Sequence, residues 1–175
     1  GGEGDAVCCG HNGVVWLNVR VHGRAAHGST PEAGVNALEK MSALVLALND
    51  YKRQLARRTF RSPEGRRLHP TVNLGGVFAA GEGGKINTVP AAASFTIDRR
   101  VLPTESGREA ERELRAFLRA AVKKIPRCRI TIEKISHNHS CYTPPAHPLF
   151  GAMHESTHYN SFKTRRFADV LKELD

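Results

Sequence analysis

The sequence predicts an α+β fold, a two-layer sandwich in which a four-stranded antiparallel sheet carries two helices on one face. Three observations point there. Residues 14–22 and 92–101 alternate apolar and polar side chains, the period of a half-buried strand. Two other stretches repeat apolar residues every three or four positions, the spacing of an amphipathic helix. The patterns follow one another as strand, helix, strand, strand, helix, strand, which is the ferredoxin-like βαββαβ order.

In the first strand, Val15, Leu17, Val19 and Val21 share one face, while Asn18, Arg20 and His22 share the other. Gly23–Ser29 reads as a loop, and Thr30-Pro31-Glu32 resembles a helix start. Val35, Leu38, Met41, Val45 and Leu48 then mark a helix that begins between residues 32 and 36 and ends near 57. Residues 59–70 hold Ser62-Pro63-Glu64-Gly65 and Pro70 and read as a loop. Residues 71–80 form the second strand, with Gly75-Gly76 marking a bulge or a close backbone approach. Gly81–Gly84 is a turn. In the third strand Ala93, Phe95, Ile97 and Val101 oppose Ser94, Thr96, Asp98 and Arg100. Ser106 and Glu109 are spaced as a capping box ahead of the stripe Leu114, Phe117, Leu118, Ala121, Val122 and Ile125, and Pro126 closes that helix. Ile130, Ile132 and Ile135 belong to a fourth strand. One domain therefore spans residues 10–136, and 137–175 reads as an irregular tail ending in a short amphipathic stretch.

Composition narrows the function classes. The chain has 175 residues, 40% hydrophobic and 25% charged, which suffices for one ordinary core. No apolar run reaches the roughly 18 residues of a membrane span, and Gly1-Gly2-Glu3-Gly4-Asp5 lacks the basic and apolar regions of a signal peptide. Cys8, Cys9, Cys128 and Cys141 form no C-x-x-C pair and read as reduced thiols in a cytoplasmic protein. The net charge of +9 concentrates in Lys52-Arg53, Arg57-Arg58, Arg61 and Arg66-Arg67, a solvated basic loop or a surface for an acidic partner.

Two segments carry chemistry. One is Gly23-Arg24-Ala25-Ala26-His27-Gly28-Ser29-Thr30-Pro31-Glu32-Ala33-Gly34-Val35-Asn36-Ala37. The other is Gly84-Lys85-Ile86-Asn87-Thr88-Val89-Pro90, followed by Asp98-Arg99-Arg100 and Pro103. Together, in this order, they resemble the dimerization (lid) domain of the acetylornithine deacetylase, succinyl-diaminopimelate desuccinylase and carboxypeptidase G family of zinc metallopeptidases. The resemblance covers about residues 10–135. It implies a domain inserted into a larger zinc-binding catalytic domain. In that family a histidine at the position of His27 reaches a partner subunit's active site and stabilises the oxyanion. An asparagine at the position of Asn87 assists there. An arginine thirteen residues beyond, here Arg100, binds the substrate carboxylate. Elementary chemistry agrees: an oxyanion needs preorganised N–H donors, and a carboxylate suits a forked guanidinium. Arg99 points to the opposite face, so a register error would exchange it with Arg100. Arg100 could also pair with Asp98.

The family's metal site needs histidines and several carboxylates, including a Glu-Glu pair, and no Glu-Glu or Asp-Glu pair occurs in this sequence. No metal ligand or cofactor is assigned within it. Zinc is expected in a catalytic domain outside it, and these residues alone should be inactive. His154-Glu155-Ser156-Thr157-His158 matches the H-E-x-x-H pattern of zinc proteases, but nine histidines in the chain make a chance match plausible, and His137 and His139 are weaker candidates still. The expected partner is a second copy, joined through the sheet edge 71–80 and helix 32–57. The expected substrate is a small, anionic, amino-acid-like molecule bearing an amide, as in an N-acyl amino acid. The alternative is an RNA-binding module of the same topology. It would need aromatics on the open sheet face, where alternation places Trp16 but not Phe95.

Overall fold

The computed structural model describes residues 10–62, 65–80, 85–144, 146–148 and 152. Six long elements lie within the unit Asn12–Ser140: β1 (Gly13–His22), α1 (Ala37–Ala56), β2 (Thr71–Ala80), β3 (Ala92–Val101), α2 (Gly107–Lys124) and β4 (Arg129–Asn138). The chain is α+β, with two helices and antiparallel sheet, as its periodicities predict. The four long strands run in the order β2-β3-β1-β4, and every neighbouring pair is antiparallel. Outside the unit Asn12–Ser140, Gly10–His11 pairs with Cys141–Tyr142 in a short antiparallel ladder. His154 and His158 lie outside the described residues.

Alternation sorts the sheet into two faces. Val15, Leu17, Val19 and Val21 of β1 and Ala93, Phe95, Ile97 and Val101 of β3 are buried in one core with the apolar faces of both helices. Trp16, Asn18 and Arg20 alternate with them onto the open face, where Trp16 is 39% exposed. Phe95 is only 2% exposed, as alternation requires, so Trp16 is the aromatic that β1 and β3 present there.

The first helix begins later than its sequence suggests. Pro31–Ala33 forms a single 3₁₀ turn, and the chain is then held extended by paired backbone bonds between Arg24 and Val35. Asn36 caps α1, its side chain accepting from the Leu38 and Glu39 amides at 3.0 and 3.2 Å. The buried stripe is consequently Ala37, Met41, Leu44, Leu48, Tyr51 and Leu55, while Leu38 lies on the rim. Ser106 caps α2 as expected, its hydroxyl accepting from the Glu109 amide, and Ile125 ends that helix before Pro126.

Loop 59–70 contains a small antiparallel pair, Phe60–Arg61 with Arg67–Leu68, that its arginine-rich composition conceals. The β2–β3 register shifts between Leu74 and Phe78, and Gly75 there has φ +79°, a conformation in which a Cβ is strained. The fourth strand runs to Asn138, so His137 and Asn138 belong to the sheet. A register shift at Trp16/Leu17 leaves Ile135 without an opposite residue and 55% exposed. Cys128 is buried, which pushes its thiol above its ordinary value, and Cys141 is exposed; both are free thiols. Among the described residues no helix is long and apolar enough to cross a membrane.

Candidate functional site

The two motif segments are laced together by backbone hydrogen bonds. The Gly28 amide donates to the Asn87 carbonyl at 2.6 Å, and the Val89 amide donates to the Ala26 carbonyl at 2.9 Å. His27 and Thr88 form an isolated antiparallel bridge. A Cβ on Gly28 would lie 3.0 Å from the Asn87 oxygen, so a side chain there would crowd this approach. Further bonds fix both loops to the scaffold. Gly23 donates to Ala91 at 2.7 Å and Ala37 to Pro90 at 2.9 Å, so the loops are pinned where β1 ends and β3 begins. Arg127, in the turn between α2 and β4, donates from Nη2 to the Gly34 carbonyl at 2.9 Å.

The local bonds of His27 define its chemistry. The Ser29 amide donates to His27 Nδ1 at 3.2 Å, and the Ser29 hydroxyl lies 2.7 Å from the same nitrogen. A backbone N–H can only donate, so the neutral imidazole carries its proton on Nε2. That leaves Nε2–H as a hydrogen-bond donor on an exposed side chain. Asn87 is exposed on the facing loop, and its amide group supplies further donors. Ser29, which selects this tautomer, was not singled out from sequence, although a hydroxyl two residues past a loop histidine is the available signal.

Arg100 sits elsewhere. It pairs with Val14 of β1, at the opposite end of β3 from Ala92, which pairs with His22. Eight residues of extended strand separate Ala92 from Arg100, about 26 Å at ~3.3 Å per residue. The structure therefore pairs the backbones of the loops that carry His27 and Asn87, with Thr88 directly opposite His27, and holds Arg100 apart from both. Arg100 lies on the open face and donates from Nε and Nη2 to Asp98 Oδ2 at 3.1 and 2.9 Å.

Arg99 takes the buried side of the same strand, with a side chain 0% exposed. It donates from Nη1 and Nη2 to Glu105 at 3.1 and 2.8 Å. Burial alone would raise the Glu105 carboxyl. Arg99, the Leu102 amide and Arg58 outweigh it and hold the carboxyl below its ordinary value. Arg58 in turn forms a two-bond pair with Glu113 at 2.6 and 2.9 Å. Sequence reasoning placed Arg99 on the face opposite Arg100 but had no signal for its buried partner.

The sheet edge formed by β2 has no buried residue along its length. Val77 and Phe78 are 66% and 58% exposed on it, and Leu46 of α1 is 67% exposed. Among the described residues, no cluster of three or more His, Cys, Asp or Glu side chains could hold a metal ion.

Comparison with known proteins draws these features together. Residues 9–126 match the family of M20 peptidase dimerisation domains. The chain is 35% identical over 117 residues to an acetylornithine deacetylase of Aliivibrio salmonicida (strain LFI1238), a match covering 67% of this chain and 30% of the relative. It is 32% identical over 146 residues to an acetylornithine deacetylase of Vibrio atlanticus (strain LGP32), covering 82% and 37%. The chain thus spans about a third of the length of the curated relatives it matches. Solved structures share its fold. A hydantoinase/carbamoylase family amidase from Burkholderia vietnamiensis superposes with a TM-score of 0.60 at 18% identity, covering 90% of this chain and 35% of that one. A tripeptidase from Staphylococcus aureus gives 0.57 at 15% identity, covering 89% and 37%. With the family match spanning both motif segments and the strands that carry them, the chain belongs to the M20 peptidase dimerisation domain family.

Proposed function

We propose that this chain is the dimerisation and substrate-lid domain of a zinc-dependent amidohydrolase that cleaves an amide bond in a small, anionic, amino-acid-like substrate. The observation that carries this is the backbone lacing of the His27 and Asn87 loops. It fixes two neighbouring loops, each carrying an exposed side chain that can donate an N–H, and such preorganised donors suit a developing oxyanion. Arg100 supplies the bidentate site for the substrate carboxylate. Zinc supplies Lewis-acid and water-activating chemistry from a catalytic domain outside the described residues. The functional domain begins near residue 10 and runs past residue 136 to the end of β4 at Asn138, in a cytoplasmic protein, and the order β2-β3-β1-β4 supports its ferredoxin-like description.

A single small substrate cannot span the roughly 26 Å of β3 between the His27–Asn87 rim and Arg100. The two sets therefore serve different active sites of a homodimer, which is built through the exposed β2 edge and α1. Mixing protomers tests this. In the parent enzyme, His27→Ala and Arg100→Ala should each lower kcat/KM by roughly 10²-fold or more. A heterodimer of the two variants keeps one site with both groups intact, so an equal random mixture should recover about a quarter of wild-type activity. No recovery on mixing, with heterodimers verified, would show that both groups serve one site, and unchanged activity in either single variant would show that its residue serves none.

A further inference from the structure

We infer that Asp98 is the positioning residue for Arg100, holding the guanidinium by one edge so that its other edge is left for a carboxylate. This rests on the assignment of Arg100 as the carboxylate site and goes beyond it. A single oxygen, Asp98 Oδ2, accepts from both Nε and Nη2. A guanidinium has five N–H bonds in a rigid fork. Engaging one at Nε and one at Nη2 leaves both Nη1 hydrogens and the second Nη2 hydrogen. The Nη1/Nη2 edge can therefore receive a carboxylate in two parallel bonds while Asp98 stays in place. The Arg100 side chain is 43% exposed, so a ligand can reach it.

Asp98 could instead be a competitor that must leave before a ligand binds. The geometry opposes that. Asp98 Oδ1 is buried and has no hydrogen-bond partner among the described residues. Swinging Arg100 away would leave a partly buried carboxylate without its cation, which is costly. Asp98 is also held laterally, since Trp16 of β1 and Asn73 of β2 stand directly opposite it on its two sides. Cross-strand neighbours of this kind lie in side-chain contact range. The clamp therefore persists through binding and converts a flexible arginine into a fixed fork.

Trp16 is the only tryptophan of the chain and stands beside this pair, so its fluorescence reports on it. The 175-residue chain is titrated with N-acetylglycine, and with N-acetylglycinamide as the uncharged control. The wild type should show saturable quenching or enhancement with the acid and not with the amide. Arg100→Ala should abolish it. Asp98→Asn should weaken it on the order of tenfold, and Asp98→Glu, which restores the charge one methylene further out, should fall between Asp98→Asn and the wild type. Circular dichroism checks that each variant is folded. If Asp98→Asn binds as tightly as wild type or more tightly while Arg100→Ala abolishes binding, Asp98 is a competitor or a bystander; the clamp is overturned and the role of Arg100 stands. If Arg100→Ala binds like wild type, or the wild type gives no saturable response to the acid, both fall together. Should Asp98→Asn not fold, Asp98→Glu decides: weaker binding supports the clamp, and unchanged or tighter binding overturns it.

Discussion

Removing the Glu105 carboxylate should destabilise the domain far more than removing its neighbour Glu113, although both hold arginines. Glu105→Ala strands Arg99, whose side chain is 0% exposed, in the core without the two charged bonds it makes at 2.8 and 3.1 Å. Breaking a buried pair by deleting one partner costs about 3–5 kcal/mol, because the remaining charge loses its counter-ion and keeps only neutral partners, here the Arg100 carbonyl. The same change orphans the buried Leu102 amide, which donates to Glu105 at 3.0 Å, so the upper half of that range is expected. Glu113→Ala instead leaves Arg58, which is 41% exposed, solvated and still paired with Glu105 at 3.0 Å, so about 1 kcal/mol or less is expected after screening by water. Parallel urea denaturation followed by circular dichroism measures both. Replacing the pair together, as Arg99→Met with Glu105→Gln, removes the stranded charge and should recover most of the loss. Equal losses for Glu105→Ala and Glu113→Ala, or a double variant no more stable than Glu105→Ala, would refute the assignment of Arg99 as a buried charge dependent on Glu105.

Two further outcomes follow from the helix cap and the carboxylates. Asn36→Ala removes the acceptor for two helix amides and should cost about 1 kcal/mol, read as a lower melting temperature with unchanged helix content below the transition. Glu105 and Glu111 both titrate below their ordinary value of 4.5 in the folded chain; burial opposes this, and their bonds to arginine, lysine and backbone donors prevail. A carboxylate with a depressed folded pKa contributes stability that is fully present above its unfolded pKa and is lost as pH falls through the folded value. Melting temperatures measured from pH 7 downward should therefore hold until about pH 4.5 and fall below it, and Glu105→Gln should make that fall shallower.

Much of the scaffold was legible because single elements obey single periods. β1 and β3 alternate cleanly, since one face of each meets the core and the other does not. In α2 the stripe and both ends were readable, because Ser106, Glu109 and Pro126 are local signals that need no tertiary context. α1 was harder. Val35 and Leu38 continue an apolar rhythm, yet Val35 is spent on a bridge to Arg24 and Asn36 is the true cap. The bulge opposite Trp16 was invisible, because Ile135 looks like a core residue until register with β1 is known. The buried pairing of Arg99 was equally hidden, since its partner lies on a turn six residues away. For the proposed site, the motifs singled out His27, Asn87 and Arg100 as candidates. The lacing of the His27 and Asn87 loops and the distance of Arg100 from both are properties of strand register that residue type does not encode.

β3 also acts as a spacer gauge. Asn87 and Arg100 bracket one strand, so the distance and the facing of the two groups are set by a count of residues. Inserting a single residue within it would turn Arg100 into the core and Arg99 out to solvent. Inserting two would restore the facing but push the groups apart by about 7 Å. Side chains along β3 are thus free to vary while its length is not, because the strand's residue count sets both the facing of Arg100 and its separation from the loop of Asn87.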